Sequence, residues 1–234
     1  MQWIKQHLLS APHFYRLSTR LLPWISVITA ILLIYGVIGG LFIAPADYQQ
    51  GDGFRIIYVH VPSALLAMAI YSFMALCAVG VLVLRLKLAS LALINSARIG
   101  VWFTFLALIT GSLWGKPMWG TYWIWDARLT SMLVLLFLYI GIIALNDAIA
   151  ERITREKSVA LLALAGFINI PIIHYSVVWW STLHQGSTIT KLHPSIASSM
   201  LAPLLAMLAG FLGLFALLLI LRMGAELQQQ VTHD

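Results

Sequence analysis

Six long apolar runs alternate with short polar segments along the 234-residue chain, near residues 21–43, 57–84, 97–114, 128–148, 159–180 and 196–221. A helix needs roughly 20 apolar residues to cross about 30 Å of hydrocarbon, and each run is of that order. The pattern predicts an all-α integral membrane protein with six transmembrane helices, forming one polytopic domain over residues 1–234. An even number of crossings puts both termini on one side of the bilayer.

Charge decides which side. Lys5, Arg16, Arg20, Arg85, Lys87, Arg98, Arg152, Arg155, Lys157 and Arg222 fall in the N-terminal arm, the second and fourth loops and the C-terminal tail. Only Arg55, Lys116, Arg128 and Lys191 fall on the opposite side. Basic residues gather on the cytoplasmic face of membrane proteins, so both termini are expected to be cytoplasmic. The loops at 114–127 and 181–195 then face outward, which in a bacterium is the periplasm. The expected location is the bacterial inner membrane.

Composition narrows the class further. At 61% hydrophobic and 9% charged, with a mean hydropathy of +0.93, the chain cannot be a soluble domain. Its net charge of +6 would suit a nucleic-acid partner, but the basic residues cap spans and form no stripe, so no nucleic acid is expected. Ala44-Pro45-Ala46 after the first run has the small-x-small look of a signal-peptide cleavage site. The run exceeds the usual h-region and about twenty residues precede it, so an uncleaved first helix is expected. Within residues 1–20, Trp3, Ile4, Leu8 and Leu9 sit at near-helical spacing before Pro12, which suggests a cytoplasmic interfacial arm.

The chemistry concentrates between the third and fourth runs. Residues 114–126 read Trp-Gly-Lys-Pro-Met-Trp-Gly-Thr-Tyr-Trp-Ile-Trp-Asp and hold four of the nine tryptophans. Aromatics do collect where helices leave a membrane, but ordinarily one or two per helix end. Trp114, Trp119, Trp123 and Trp125 offer broad aromatic faces, while Gly115, Pro117 and Gly120 are expected to break the helix and let the backbone approach a flat object. A platform for a large planar ligand is the expectation.

The single cysteine, Cys77, lies in mid-span and reads as a packing residue. No Cys-x-x-Cys-His occurs, so the chain cannot carry a covalent c-type haem. Of seven histidines, His60 at the outer end of the second span and His184 just after the fifth share the membrane face of the tryptophan loop. Singly, each would read as a hydrogen-bonded interface residue. Together, two neutral imidazoles across a tryptophan-walled cleft supply what six-coordinate haem iron requires. His174, deeper in the fifth span beside Pro171, reads as a buried, hydrogen-bonded histidine, and His193 stays open between the two roles.

Haem propionates call for cations at the rim, and Arg55 and Arg128 are placed by topology to provide them, with interfacial anchoring as their plainer role. Lys116 and Lys191 read as anchors. Asp126 is expected to orient a tryptophan N–H, Arg128 or a loop amide, because a bare carboxylate there would be costly.

The run Trp-Gly-x-x-x-Trp-Gly-x-x-Trp-x-Trp-Asp-x-Arg-Leu-Thr, with His60 and His184 in six spans, resembles the cytochrome c assembly family of haem-handling proteins with a tryptophan-rich WWD domain. Ala-Pro-Ala-Asp-Tyr-Gln-Gln-Gly at 44–51, His-Val-Pro at 60–62, Pro-Ile-Ile-His-Tyr-Ser at 171–176 and Leu-His-Gln-Gly-Ser-Thr at 183–188 extend the resemblance over nearly the whole chain. The resemblance implies haem b held non-covalently and transiently at the periplasmic face, with His60 and His184 as axial ligands. It also implies delivery to a membrane-anchored periplasmic haem chaperone. Further partners would be the ATP-binding and membrane subunits of an ABC transporter and a small single-span accessory protein.

A carrier, and not an enzyme, also follows from placement, because a shallow site between loops can open and release what it holds. No P-loop motif occurs, so any ATP use would belong to a partner. An integral b-type cytochrome would instead bury its histidines deep among the helices. A small-solute transporter would need ionisable residues near the midplane, and the spans hold almost none.

Overall fold

The computed structural model describes residues 11–180 and 196–233. Among these residues α1 (Ala11–Val37) runs into a π-helical turn (Ile38–Ile43), and a 3-10 turn (Asp52–Ile56) leads into α2 (Ile57–Leu84). There follow α3 (Lys87–Trp119), α4 (Ala127–Ala148), α5 (Arg152–Gly166), α6 (Asn169–Trp179) and α7 (Ser198–His233). Counting α5 and α6 as one crossing, six segments are long and apolar enough to span a membrane. The protein is a multi-pass membrane protein.

The hairpin of α2 and α3 forms the centre. On one flank α7 packs across both, with α1 leaning on α7, and on the other flank α4, α5 and α6 close the bundle. Helices in lipid gain little from hydrophobic burial against one another, so close packing and interhelical hydrogen bonds hold such a bundle. Tyr139 illustrates both: it is fully buried, its hydroxyl donates to the Ala67 carbonyl at 2.7 Å, and its ring meets Tyr71 edge to face at 5.2 Å.

At the end that holds the start of α1 and the end of α7, polar side chains tie the helices. The Asn95 amide, 1% exposed, donates to Glu226 Oε2 at 2.7 Å, and Arg222 Nε donates to Asn95 Oδ1 at 3.4 Å, joining α3 to α7. Gln228 Nε2 donates to the Tyr15 hydroxyl at 2.9 Å, which places the start of α1 and the end of α7 at the same end of the bundle. Glu151 caps α5 by accepting from the Ile153 and Thr154 amides. Hydrogen bonds from Thr154 and Ile153 hold its carboxyl down to about 2, so the cap stays charged at neutral pH.

Three features differ from the sequence expectation. Residues 11–20 are helical and continuous with the first span, while Trp3, Ile4, Leu8 and Leu9, which suggest the interfacial arm, lie outside the described residues. The third helix starts ten residues before the apolar run, because Lys87, Ser90, Asn95 and Ser96 lower hydropathy without interrupting helical hydrogen bonding. The fifth span is broken at Phe167 and Ile168. Pro171 has no N–H and its ring would clash with the carbonyl four residues back, on Phe167, so the helix restarts there.

Candidate functional site

The site is assembled at the bundle end opposite the start of α1 and the end of α7, where α2 begins and α3 ends. A tight turn comes first. Asp47 Oδ1 accepts from the Gln49 and Gln50 amides, each at 2.9 Å, and the Asp47 and Gly51 backbones pair at 3.2 and 2.9 Å. This turn presents Gln50, whose Oε1 accepts from Trp114 Nε1 at 2.9 Å. Held there, Trp114 turns its ring edge-on to Phe54 at 6.0 Å and to His60 at 5.6 Å.

Gln50→Leu should therefore destabilise the detergent-solubilised protein by about 1 kcal/mol, the usual net worth of one hydrogen bond. In a Trp114→Phe background, thermal unfolding should show almost no further loss from the same change. An equal loss in both backgrounds would mean that Gln50 acts elsewhere.

His60 lies one turn into α2 and is half-buried. Its Nδ1 stands 3.1 Å from the Ala107 carbonyl oxygen and 3.1 Å from Thr110 Oγ1, both on α3. A carbonyl can only accept, so in the neutral ring Nδ1 carries the proton and Nε2 the lone pair.

The tryptophan segment differs from expectation in its first half. Gly115 and Pro117 do not stop the helix, which continues to Trp119. Pro117 sits in the last turn, where its missing N–H forfeits a single hydrogen bond. Gly120 ends the helix in the left-handed region, with φ +77°, and its amide donates to the Lys116 carbonyl at 3.0 Å. Lys116 in turn donates to the Gly120 carbonyl at 3.0 Å and lies over the Tyr122 ring.

Trp114 and Trp119 are thus helix-borne, while Trp123 and Trp125 stand in the irregular segment between α3 and α4, edge to face at 5.5 Å. Trp125 is 77% exposed. Trp123 packs against the core, and its buried Nε1 has no acceptor among the described residues.

Asp126 caps α4, accepting from the Leu129 amide at 2.7 Å, an amide of the helix and not one of the loop. Arg128 on the first turn of α4 is half-buried; its carbonyl accepts from Ser131 Oγ at 3.1 Å, while its guanidinium has no hydrogen bond among the described residues and has Asp126 as its charged neighbour. Arg55 is more committed: Nε pairs with Asp52 at 2.9 Å and Nη1 donates to the Gly40 carbonyl at 3.1 Å.

His184, His193 and Lys191 lie outside the described residues. His174 corrects the sequence reading, because it is exposed on the bundle exterior, with its ring edge-to-face on Tyr175 at 4.8 Å. The break at Phe167 sets the phase of α6 so that Asn169, Ile173 and Ser176 turn inward. His174, the next residue after Ile173, is rotated about 100° away from that face.

A profile of the family described as Heme exporter protein C matches residues 4–234. The chain belongs to that family. The "Heme exporter protein C" of Haemophilus influenzae is 51% identical over 217 residues, 92% of this chain and 88% of the relative. That of Escherichia coli K12 is 50% identical over 222 residues, covering 94% and 90%. That of Bradyrhizobium diazoefficiens is 46% identical over 215 residues, covering 92% and 81%.

For this haem exporter family member, reading along the chain found the residues that announce themselves by type, and missed those that seat them. Ala107, Thr110 and Gly111 carry no motif, and Gln50, inside the run at 44–51, gives no sign of its partner Trp114. A partial signal existed: the small residues Ala107 and Gly111, one turn apart on α3, mark a face able to admit a ring from a neighbouring helix.

Proposed function

We propose that this protein is a haem carrier of bacterial cytochrome c biogenesis, located in the inner membrane with its site on the periplasmic side. Haem b is its cargo, bound non-covalently and transiently, with His60 and His184 as axial ligands. The observation that carries this reading is the state of His60. Its Nδ1–H is engaged by a backbone carbonyl, so its lone pair is on Nε2, the form in which histidine ligates metals.

Two further groups fit the cargo. Trp123 Nε1 is a buried donor lacking an acceptor among the described residues, and the guanidinium of half-buried Arg128 lacks a hydrogen bond there. Leaving such groups unsatisfied is unfavourable, and a propionate would satisfy both kinds. Arg55, already held by Asp52 and Gly40, contributes charge at the same rim. Trp119 and the exposed Trp125 provide aromatic surface for the porphyrin face.

The site opens at the end of the bundle, so loop movement suffices for release to a membrane-anchored periplasmic haem chaperone. The ATP-binding and membrane subunits of an ABC transporter and a small single-span protein complete the proposed assembly.

The test is the spectrum of protein purified from haem-replete membranes. A six-coordinate, low-spin haem is expected, and its absence would overturn the reading. Trp123→Phe keeps the ring and removes the N–H. It should speed haem loss to a scavenging apoprotein about fivefold, equivalent to about 1 kcal/mol for one hydrogen bond. Trp125→Phe, on an exposed ring, should change the rate less. Equal effects of the two would remove the proposed donor role.

A further inference from the structure

The face of α3 opposite His60 does more than receive it. Ala107, Thr110 and Gly111 stand at positions i, i+3 and i+4 of one helix and so share a face. Two of them hold one nitrogen, since Nδ1 lies 3.1 Å from both the Ala107 carbonyl oxygen and Thr110 Oγ1. The third provides space: a Cβ at Gly111 would come within 3.0 Å of His60 Cε1.

The Thr110 hydroxyl has its own direction. Oγ1 lies 2.7 Å from the Leu106 carbonyl oxygen and 3.3 Å from that of Ala107, and its only proton goes to the closer, Leu106. Its lone pairs therefore face Nδ1, and the hydroxyl can meet the imidazole only as an acceptor. The Nδ1–H is shared between two acceptors, one from the backbone and one from a side chain. Only the second can be altered by substitution without disturbing the helix.

We infer that Thr110 is a positioning residue that sets the tautomer, the orientation and the donor strength of His60 as an iron ligand. A hydrogen bond accepted from the distal N–H increases the electron density that an imidazole offers through its other nitrogen. A second acceptor strengthens this effect and stops rotation of the ring. Thr110 would therefore govern how firmly the carrier holds its cargo before hand-over. The inference rests on the haem-carrier reading and concerns this chain's own residues.

The experiment uses the full-length protein, purified with haem, as wild type, Thr110→Val and Thr110→Ser. Valine keeps the branched shape and removes the acceptor; serine keeps the hydroxyl. In Thr110→Val the ferric/ferrous midpoint potential should move to a more positive value, because a weaker donor stabilises ferric iron less. Haem loss to a scavenging apoprotein should become about tenfold faster, the lower end of the usual effect of losing such a supporting partner. Thr110→Ser should stay near wild type in both measurements.

A Thr110→Val protein with wild-type potential and wild-type haem loss would overturn the inference while leaving ligation by His60 intact. Thr110→Val and Thr110→Ser proteins shifted equally would also overturn it, because the effect would then follow packing and not the hydroxyl. An unaltered low-spin spectrum in His60→Ala would instead overturn the ligand assignment beneath it, and this inference with it.

Discussion

His60→Ala should abolish the low-spin haem spectrum of the purified protein, and millimolar imidazole should bring much of it back. The expected loss exceeds the roughly 10- to 100-fold drop in affinity seen when only a supporting partner of a metal ligand is removed. Recovery follows from the walls of the cavity that the alanine leaves. The Ala107 carbonyl and Thr110 Oγ1 would accept the N–H of free imidazole as they accept that of His60, and Gly111 leaves room for the ring. Trp114, tied to Gln50, closes the side. His184→Ala should show the same loss and a similar rescue. His174→Ala, on the outside of the bundle, should leave the spectrum unchanged. A low-spin spectrum that survives in both His60→Ala and His184→Ala would refute the assignment.

The second large effect is expected where α4 starts. Asp126 caps this helix through the Leu129 amide, and Arg128 follows on the first turn. Asp126→Ala removes the cap, which usually costs about 1 kcal/mol, and frees the segment carrying Trp123 and Trp125. Asparagine caps nearly as well as aspartate, so Asp126→Asn keeps the backbone geometry and removes only the charge. Membranes bearing Asp126→Ala or Arg128→Ala should retain a haem signal in this protein, while covalent haem on the proposed periplasmic chaperone falls at least severalfold. Asp126→Asn should load the chaperone almost normally if the cap is what matters. Loading as poor as with Asp126→Ala would assign the role to the charge. Normal loading in both alanine variants would eliminate orientation by this segment, and parallel loss of bound haem and loading would make these residues plain binding determinants.

Much of this molecule is legible along the chain because lipid imposes a one-dimensional rule. A helix must satisfy its backbone internally and present apolar side chains for about 30 Å, so run length and mean hydropathy suffice to count six crossings. Helix ends followed less well. Lys87–Ala97 is helical despite its polar residues, and Gly115 and Pro117 lie inside α3. Hydropathy records where lipid begins, not where hydrogen bonding stops, and a proline in the last turn breaks too little to end a helix.

The residue types of the site, His60, the tryptophans, Asp126 and Arg128, stood out in the sequence by their chemistry and crowding. Their directions did not. Whether a histidine points inward depends on the phase of its helix, and a break such as that before Pro171 resets the phase, which is why His174 is outside and His60 is held against α3. Trp114 turned out to be a brace between Gln50 and His60, because its partner is 64 residues away and no local pattern encodes that distance. Composition and period determined the class, the spans and the identity of the chemical groups, since these are properties of neighbours in the chain. Only the packing of α2 on α3 decided which nitrogen of His60 carries the proton, since that depends on a carbonyl brought close by tertiary contact.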